Sequence, residues 1–289
     1  MFTIRGYAAG MMPRTRNGFT LVELSVVLVV ISLLIGGILI GQDLIKAAAI
    51  RATVAQIEKY ESAVETFRGK YDGLPGDLKA SDAVGVGLFA RGGGAGDGDG
   101  NGKVEGIGAP GNSVPLGGET VFFWTDLSAA GLIDGSFTQS ADANVNTLCC
   151  LGDIAAPYLP MAKTGHHGYF VAYENLSASV GGVPGYSGLM FEVGQVANTL
   201  GGFVRGGAGM TVLEAESVDA KIDDGMPYSG HVLSGSSGMS SSFGVVGTYS
   251  ALNPGPSGIY CASNATTPPY YNTAFPDNVN CNLMIETGL

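Results

Sequence analysis

The chain has 289 residues, a formal net charge of −11 at pH 7 and 47 glycines, more than twice the usual glycine content of about 7%. This length suits one large domain or two modest ones. The acidic balance argues against a nucleic-acid partner, because binding a phosphate backbone needs clustered Lys and Arg, but it is compatible with divalent cations. Glycine shows no three-residue period, which excludes collagen, and sparse charge with abundant glycine predicts a loop-rich fold.

A long apolar segment lies near the start of the chain. No residue from Leu24 to Gln42 is charged, and this length meets the ~18-residue threshold for a membrane-spanning helix. Three arginines and no acid precede the segment within residues 1–18. The sequence therefore predicts a transmembrane part over about 19–42 with the basic N-terminal flank in the cytoplasm. The run is too long for a signal-peptide core, and no small-x-small cleavage site follows it.

The junction between the basic and apolar parts carries the pattern Gly18-Phe19-Thr20-Leu21-Val22-Glu23. It resembles the processing site of type IV prepilins and of type II secretion pseudopilins, which combine a basic leader, a glycine, an aromatic residue and an acid before a long apolar helix. The resemblance implies that residues 1–18 are a leader, cut after Gly18 by a prepilin peptidase, and that Phe19 is then N-methylated.

The same resemblance implies what Glu23 does. A carboxylate at the edge of the hydrocarbon layer needs a partner. In this family the implied partner is the amino group of Phe19 in a neighbouring subunit, and the product is a homo-oligomeric filament built on an inner-membrane assembly platform. A carboxylate that merely reaches the lipid headgroups is the alternative.

The apolar segment continues into an amphipathic one. Apolar residues recur there at spacings of three and four, which marks one face of a helix. This stripe consists of Ile50, Val54, Ile57, Val64, Phe67 and Tyr71, with either Tyr60 or Ser62 at its centre. Leu74-Pro75-Gly76-Asp77 then supplies breaker residues. One helix is thus predicted over 19–73, with a membrane half and a half that packs on a globular head.

Residues 74–120 are predicted to form a glycine-rich connecting segment with a calcium-type loop. Counted from Asp97, side chains with oxygen donors stand at the first, third, fifth and ninth positions of this loop. They are Asp97, Asp99, Asn101 and Glu105. Gly102 occupies the turn position, and the backbone carbonyl of Lys103 adds a ligand. Gly108 stands where an EF-hand has its bidentate acid, so Glu119 is our candidate for the missing ligand. We expect Ca²⁺ here, because three acids in one loop repel each other without a cation; a simple turn is the alternative.

Residues 121–289 are predicted to form a β-rich head. A helix is expected over Glu119–Leu132, with Trp124 in the core rather than at a ligand. Further along the chain we predict a short helix at Thr211–Ala220, then a strand end and turn over Lys221–Pro227 that takes in Asp223 and Asp224. The predicted strands are Tyr169–Tyr173, Gly188–Val193 and Gly230–Val232.

The four cysteines lie at positions 149, 150, 261 and 281. Export to an oxidising compartment predicts disulfides, and four cysteines allow three connectivities. A bridge between the adjacent Cys149 and Cys150 would be strained, and cross-pairing with the other two stays open. The resemblance to type IV pilins favours Cys261–Cys281, which would close a C-terminal loop.

Enzymatic signatures are absent from the sequence. The adjacent His166 and His167 point to different faces, and Arg91-Gly92-Gly93-Gly94 lacks the Lys-Ser/Thr that completes a phosphate-binding loop. We therefore expect no enzyme.

The resemblance implies an α+β, pilin-like fold, in which a long N-terminal helix packs on a β-rich head with a C-terminal disulfide loop. The implied function is a structural subunit of a type IV pilus, held in the inner membrane before assembly and in a periplasm-spanning or extracellular filament afterwards. Two alternatives stay open: a pseudopilin of a type II secretion system, and a tip-located adhesin that binds surfaces or glycans.

Overall fold

The structure is a computed structural model that describes residues 18–93, 96–105, 118–138, 156–166, 168–175, 179–180, 183–184, 188–200, 203–236, 261–263 and 270–289. Contacts divide the chain into two compact units that meet within the first helix, one ending at Lys46 and the other beginning at Ala47. The helices are α1 (Leu21–Tyr71), α2 (Ala80–Gly85), α3 (Glu119–Ala129) and α4 (Val212–Ile222).

The strands of the described residues are short except for three. They are β1 (Gly168–Asn175), β2 (Ser179–Val180), β3 (Val183–Pro184), β4 (Gly188–Leu200), β5 (Phe203–Gly207), β6 (Met210–Thr211), β7 (Tyr228–Ser229), β8 (Val232–Ser236), β9 (Ala262–Ser263), β10 (Tyr270–Tyr271) and β11 (Val279–Glu286). The main sheet has the order β1-β4-β11-β8-β7, with β5 added to β4 and β6 to β11. Every pairing in it is antiparallel.

Helix α1 confirms the predicted long helix within two residues at each end. Asp72 ends it in the left-handed conformation with φ 56°, and its N–H donates back to the carbonyl of Arg68. The predicted breaker residues 74–77 follow directly. The helix therefore stops where the sequence places its terminator, and the α+β architecture with a helix packed on an antiparallel sheet is confirmed.

The second half of α1 packs on the sheet through aromatic rings. The Tyr60 ring lies 4.9 Å from Trp124 and 5.2 Å from Phe170, in edge-on arrangements. Phe191 of β4 lies 6.3 Å from Tyr60 and 5.9 Å from Trp124. Trp124 is fully buried, as the sequence predicted. Ring pairs of this kind add about 0.5–1.5 kcal/mol each beyond the area they bury, so this cluster joins α1, α3 and the sheet.

Most of the predicted elements of the head are present. Helix α3 begins at Glu119 as expected, and β1 and β4 contain the predicted strands at 169–173 and 188–193. Helix α4 begins with a capping box, because the Thr211 hydroxyl accepts from the Glu214 N–H and the Glu214 carboxylate accepts from the Thr211 N–H.

Two local predictions were wrong. Gly230 and His231 form the turn between β7 and β8 rather than part of a strand, because Gly230 has φ 73°, which strand backbone does not adopt. Lys221 and Ile222 do not end a strand, because α4 continues through both residues; Ile222 packs against the core.

The disulfide Cys261–Cys281 is present and confirms the pairing that the resemblance favoured. It joins the segment before β9 to β11, and both cysteines are fully buried. Cys149 and Cys150 lie outside the described residues. In the chain-entropy model a loop of this size contributes about 3 kcal/mol to stability, so the bridge holds a segment that has little regular structure among its described residues.

A buried ion pair fixes the chain after α1. The Arg91 guanidinium donates to both carboxylate oxygens of Asp126, at 3.0 and 2.7 Å, and neither side chain is exposed. Arg91 also donates to the carbonyl of Gly76 at 2.9 Å, and the Gly76 N–H donates to Asp126 at 2.8 Å. Gly76 has φ 86°, and a Cβ there would lie 2.3 Å from the carbonyl oxygen of Glu119. Only glycine therefore fits between the end of α1 and the start of α3.

We expect Arg91→Met to lower the free energy of unfolding by about 3–5 kcal/mol, because Asp126 is left buried without its cation. Urea unfolding in detergent, followed by fluorescence of the single, buried Trp124, measures the change. The matched control is Arg91→Met with Asp126→Leu, which should recover more than half of the loss since no charge stays buried. A double variant as unstable as the sum of the two single variants would contradict this account.

Candidate functional site

Glu23 lies in the first turn of α1, five residues after Gly18, whose bond to Phe19 is predicted to be cleaved. The Glu23 carboxylate accepts from the Thr20 N–H and the Thr20 hydroxyl, both at 2.8 Å, and the Glu23 N–H donates to the same hydroxyl at 3.2 Å. This is a capping box, in which the helix uses its own acid to satisfy an N–H at its end. Gly18 and Phe19 are exposed ahead of it.

The first half of α1 presents apolar side chains to its surroundings. From Leu21 to Ile45 its large hydrophobic residues are all exposed to some degree, for example 86% for Leu21 and 71% for Ile45. Among the described residues α1 is the one helix that is long and apolar enough to cross a membrane. Water disfavours so much exposed apolar surface on a single helix, and lipid accommodates it.

A second site forms where three segments of the head converge. Asp77 follows the end of α1, Asp99 lies in the glycine-rich loop, and Glu119 begins α3. One carboxylate oxygen from each lies within 4.8 Å of the other two. Asp77 is 3% exposed and Glu119 is fully buried, so this group of three, the acidic site below, brings negative charge into the head.

The loop's backbone surrounds two of these carboxylates. Asp77 accepts from the N–H groups of Gly100, Asn101 and Gly102, at 2.9, 3.1 and 2.8 Å. Glu119 accepts from the loop N–H groups at 2.8–3.4 Å, which belong to Gly98, Asp99 and Glu105. Hydrogen bonds of this kind favour the ionised carboxylate, so the site is organised for negative charge.

Burial opposes that charge. The pKa of Asp77 is raised to about 6, mainly by burial and in smaller part by the negative charge of Asp99. The pKa of Glu119 is raised to about 8, mainly by burial and in smaller part by the charges of Asp77 and Asp99. Glu119 therefore keeps its proton at pH values well above those at which a carboxyl group usually ionises. A bound cation would relieve the repulsion among the three carboxylates in the same way as a proton does.

Only some of the predicted cation ligands lie in the acidic site. Asp99 and Glu119 belong to the acidic site, whereas Asp97 turns to the Gly92 N–H at 2.9 Å. The Asn101 side-chain oxygen accepts from the Lys103 N–H at 2.8 Å, and its amide nitrogen donates to Asp99. The carboxylate of Glu105, which is 5% exposed, accepts from the same amide at 3.3 Å. Their role as cation ligands stays a prediction.

Sequence reasoning missed Asp77. The stretch Leu74-Pro75-Gly76-Asp77 indicates by itself only a helix terminator. The signal that could have found it is an acid placed directly after a Pro-Gly turn, so that the helix end delivers a carboxylate to the loop that follows.

The donor set suits a hard divalent cation. Ca²⁺ takes six to eight oxygen ligands from carboxylates, amide oxygens, backbone carbonyls and water. Three carboxylates on three segments provide donors of this type. No sulfur or imidazole ligand takes part in the group, which disfavours softer transition metals.

A second acidic group in the head has a structural explanation. Asp219, Asp223 and Asp224 also approach one another within 4.8 Å. Asp219 accepts from the Tyr271 hydroxyl at 2.7 Å; Asp224 accepts from the Met226 N–H and Ser229 hydroxyl. Asp223 accepts from the Val232 N–H at 3.1 Å. The bonds of Asp224 lie within the α4–β7 connection, that of Asp223 joins the end of α4 to β8, and that of Asp219 joins α4 to β10. The first two are in keeping with the predicted turn role of Asp223 and Asp224.

The histidine pair offers no catalytic arrangement in the described part of the chain. His166 lies 3.2 Å from the Glu214 carboxylate, which already belongs to the capping box of α4, and His167 lies outside the described residues.

Comparison with known proteins yields one match. Residues 13–39 match the model of the prokaryotic N-terminal methylation motif, the hallmark of type IV prepilins and pseudopilins. No curated protein and no solved structure matches the chain at a significant level. The motif and the apolar helix together support a pilin- or pseudopilin-like precursor anchored in the inner membrane, and they imply a processing peptidase and filament assembly in general.

The raised pKa values predict how stability depends on pH without a cation. The folded chain holds the Glu119 proton more tightly than the unfolded chain does, so its stabilising contribution is complete below pH 4.5 and is lost as the pH rises through about 8. We expect Glu119→Gln to flatten this profile by on the order of 3 kcal/mol. Urea midpoints in chelator across that range measure it, with the exposed Glu58→Gln as control. Parallel profiles for wild type and Glu119→Gln would contradict the assignment.

Proposed function

We propose that this chain is a structural subunit of a type IV pilus. The observation that carries the proposal is the methylation motif at residues 13–39, which has Glu23 in the fifth position after the Gly18–Phe19 bond. The precursor waits in the inner membrane, held by the apolar part of α1. A prepilin peptidase then cuts after Gly18, Phe19 is methylated, and the subunit polymerises through α1.

Cleavage gives Glu23 a partner that the precursor lacks. While Gly18 is attached, Phe19 has a neutral peptide nitrogen; after cleavage it has a charged amino group. In a filament core of low dielectric constant, a carboxylate and this amino group from a neighbouring subunit set the axial register, and loss of one member costs about 3–5 kcal/mol. The capping box with Thr20 satisfies the same carboxylate in the isolated chain.

A pseudopilin of a type II secretion system is the second candidate. The long head and the Cys261–Cys281 loop favour a pilus, whereas the acidic site with its calcium-type loop favours the secretion role. Both candidates use the same processing and the same charge pair. They differ in where the filament ends, which is outside the cell for a pilus and in the periplasm for a pseudopilus.

Mass spectrometry of filaments sheared from the surface of the native host tests this proposal. We expect a chain that begins with methylated Phe19, and we expect Glu23→Ala to be processed but to reduce filament yield at least tenfold, which corresponds to about 1.4 kcal/mol per contact. Glu58→Ala, an exposed acid of the same helix, is the control. A surface chain that retains residues 1–18, or normal filaments from Glu23→Ala, would overturn the proposal; absence from the surface with intact processing would favour the secretion candidate.

We further propose that the acidic site binds Ca²⁺. Asp77, Asp99 and Glu119 would hold the ion, with oxygens of the neighbouring loop. The bound charge would replace the protons that burial otherwise forces onto the carboxyl groups. It would also join the end of α1, the loop and the start of α3, so its effect would be on the stability of the head.

Thermal unfolding of the full chain in detergent tests cation binding. At a Ca²⁺ concentration 100 times Kd we expect a stabilisation of about 2.7 kcal/mol, abolished by Asp77→Asn. Asp82→Asn, which changes an exposed acid in α2, should respond like wild type. Mg²⁺ should have less effect, because it releases its water reluctantly. Equal melting temperatures in Ca²⁺ and in chelator would contradict the cation proposal without affecting the filament proposal.

A further inference from the structure

The glycine-rich loop contains an Asn–Gly pair in an unusual hydrogen-bonded setting. The chain has two such pairs, Asn17–Gly18 and Asn101–Gly102. Asn101 and Gly102 are both exposed, and nothing lies within 4 Å of the position a Gly102 Cβ would take. In such a pair the glycine nitrogen can attack the side-chain amide carbon of the asparagine and close a five-membered ring, because no Cβ hinders the approach.

The attacking nitrogen has a proton acceptor in place. The Gly102 N–H donates to Asp77 at 2.8 Å. Asp77 is held by two further N–H groups of the loop, those of Gly100 and Asn101, and is almost fully buried. A carboxylate within hydrogen-bond reach of the proton to be removed has the geometry of a general base.

The amide that would be attacked is held at both of its polar atoms. Its oxygen, Asn101 Oδ1, accepts from the Lys103 N–H at 2.8 Å. A backbone donor at this distance stabilises the negative charge that develops on a carbonyl oxygen under attack. Its nitrogen, Asn101 Nδ2, donates to the carboxylate of Asp99 at 3.2 Å and to that of Glu105 at 3.3 Å, so the amide group is held in one orientation.

From this arrangement we infer that the loop promotes its own deamidation at Asn101. The Gly102 nitrogen forms a bond to Asn101 Cγ and passes its proton to Asp77. The Cγ–Nδ2 bond breaks, and the proton held by Asp77 passes through water to Nδ2, which leaves as ammonia. Water then opens the resulting succinimide at either carbonyl, which yields aspartate or isoaspartate at position 101. The net change is one water consumed and one ammonia released, with no oxidant or reductant.

The modification would change the acidic site. An aspartate at position 101 adds a carboxylate next to Asp99 and Glu105, and an isoaspartate also lengthens the backbone of the loop by one methylene. The charge of the loop would thus become more negative with time after synthesis. The inference rests neither on filament assembly nor on cation binding, so its test is done in chelator.

The decisive measurement compares the folded and unfolded chain. The full chain in detergent is incubated at neutral pH with chelator, either native or in concentrated urea, and peptides are analysed by mass spectrometry for the exchange of NH₂ for OH and for isoaspartate. Deamidation at Asn101 should be at least ~10-fold faster in the native chain, because acid–base assistance typically contributes 10²–10⁴-fold. Asn17–Gly18 reports the behaviour of the same dipeptide elsewhere in the chain. A native rate at Asn101 equal to or below the unfolded rate would overturn the inference.

Two variants test the assigned roles. Asp77→Asn removes the base and should lower the native rate to about the unfolded rate. Asp82→Asn, in the same region but outside this hydrogen-bond network, should keep the wild-type rate. Circular dichroism reports whether each variant folds, and a folded Asp77→Asn that deamidates at the wild-type rate would refute the role of Asp77. If that variant does not fold, the comparison of native and unfolded wild type decides.

Discussion

Two buried carboxylates give the loop before α3 its shape. The described loop residues 96–105 contain no helix or strand, so their N–H groups need acceptors other than a backbone ladder. Asp77 and Glu119 accept six of these N–H groups between them. Asp77 follows the end of α1 and Glu119 is the first residue of α3, so hydrogen bonds attach the loop to both helices. The cost is negative charge inside the head, which has to be met by protons or by a cation.

Helix α1 is continuous, but its first and second halves have different surroundings. Up to Ile45 its large apolar residues are exposed, whereas Ile57, Tyr60, Val64 and Phe67 are buried in the head. The residue types differ accordingly: aliphatic side chains all round in the first half, and an apolar stripe with charged flanks in the second. A helix that is apolar on all faces suits lipid or other helices, and an amphipathic one suits a globular core. One element thereby serves both anchoring and folding.

Much of the fold could be predicted because its signals are local. The apolar run, the stripe and the breaker residues define α1, and the spacing of donors indicates the acidic loop. Gly230 shows where this fails, because its neighbours Ser229 and His231 do not reveal the φ that the glycine adopts. Asp77 shows a second limit, since its partners lie 22 and 42 residues away in the sequence and only the packed head brings them together. The Cys261–Cys281 pairing needed a family resemblance, because cysteine spacing alone left three connectivities.

Strand β11 has a consequence for how the head is made. It lies between β4 and β8 and hydrogen-bonds to both, although it follows β4 by about eighty residues along the chain. Neither neighbour can complete its pairing until residues 279–286 have been synthesised. Until then β4 presents an open edge, the kind of surface to which other strands add. The sheet therefore acquires its final form only after the chain has been made through residue 286, so β11 is the last strand to join it.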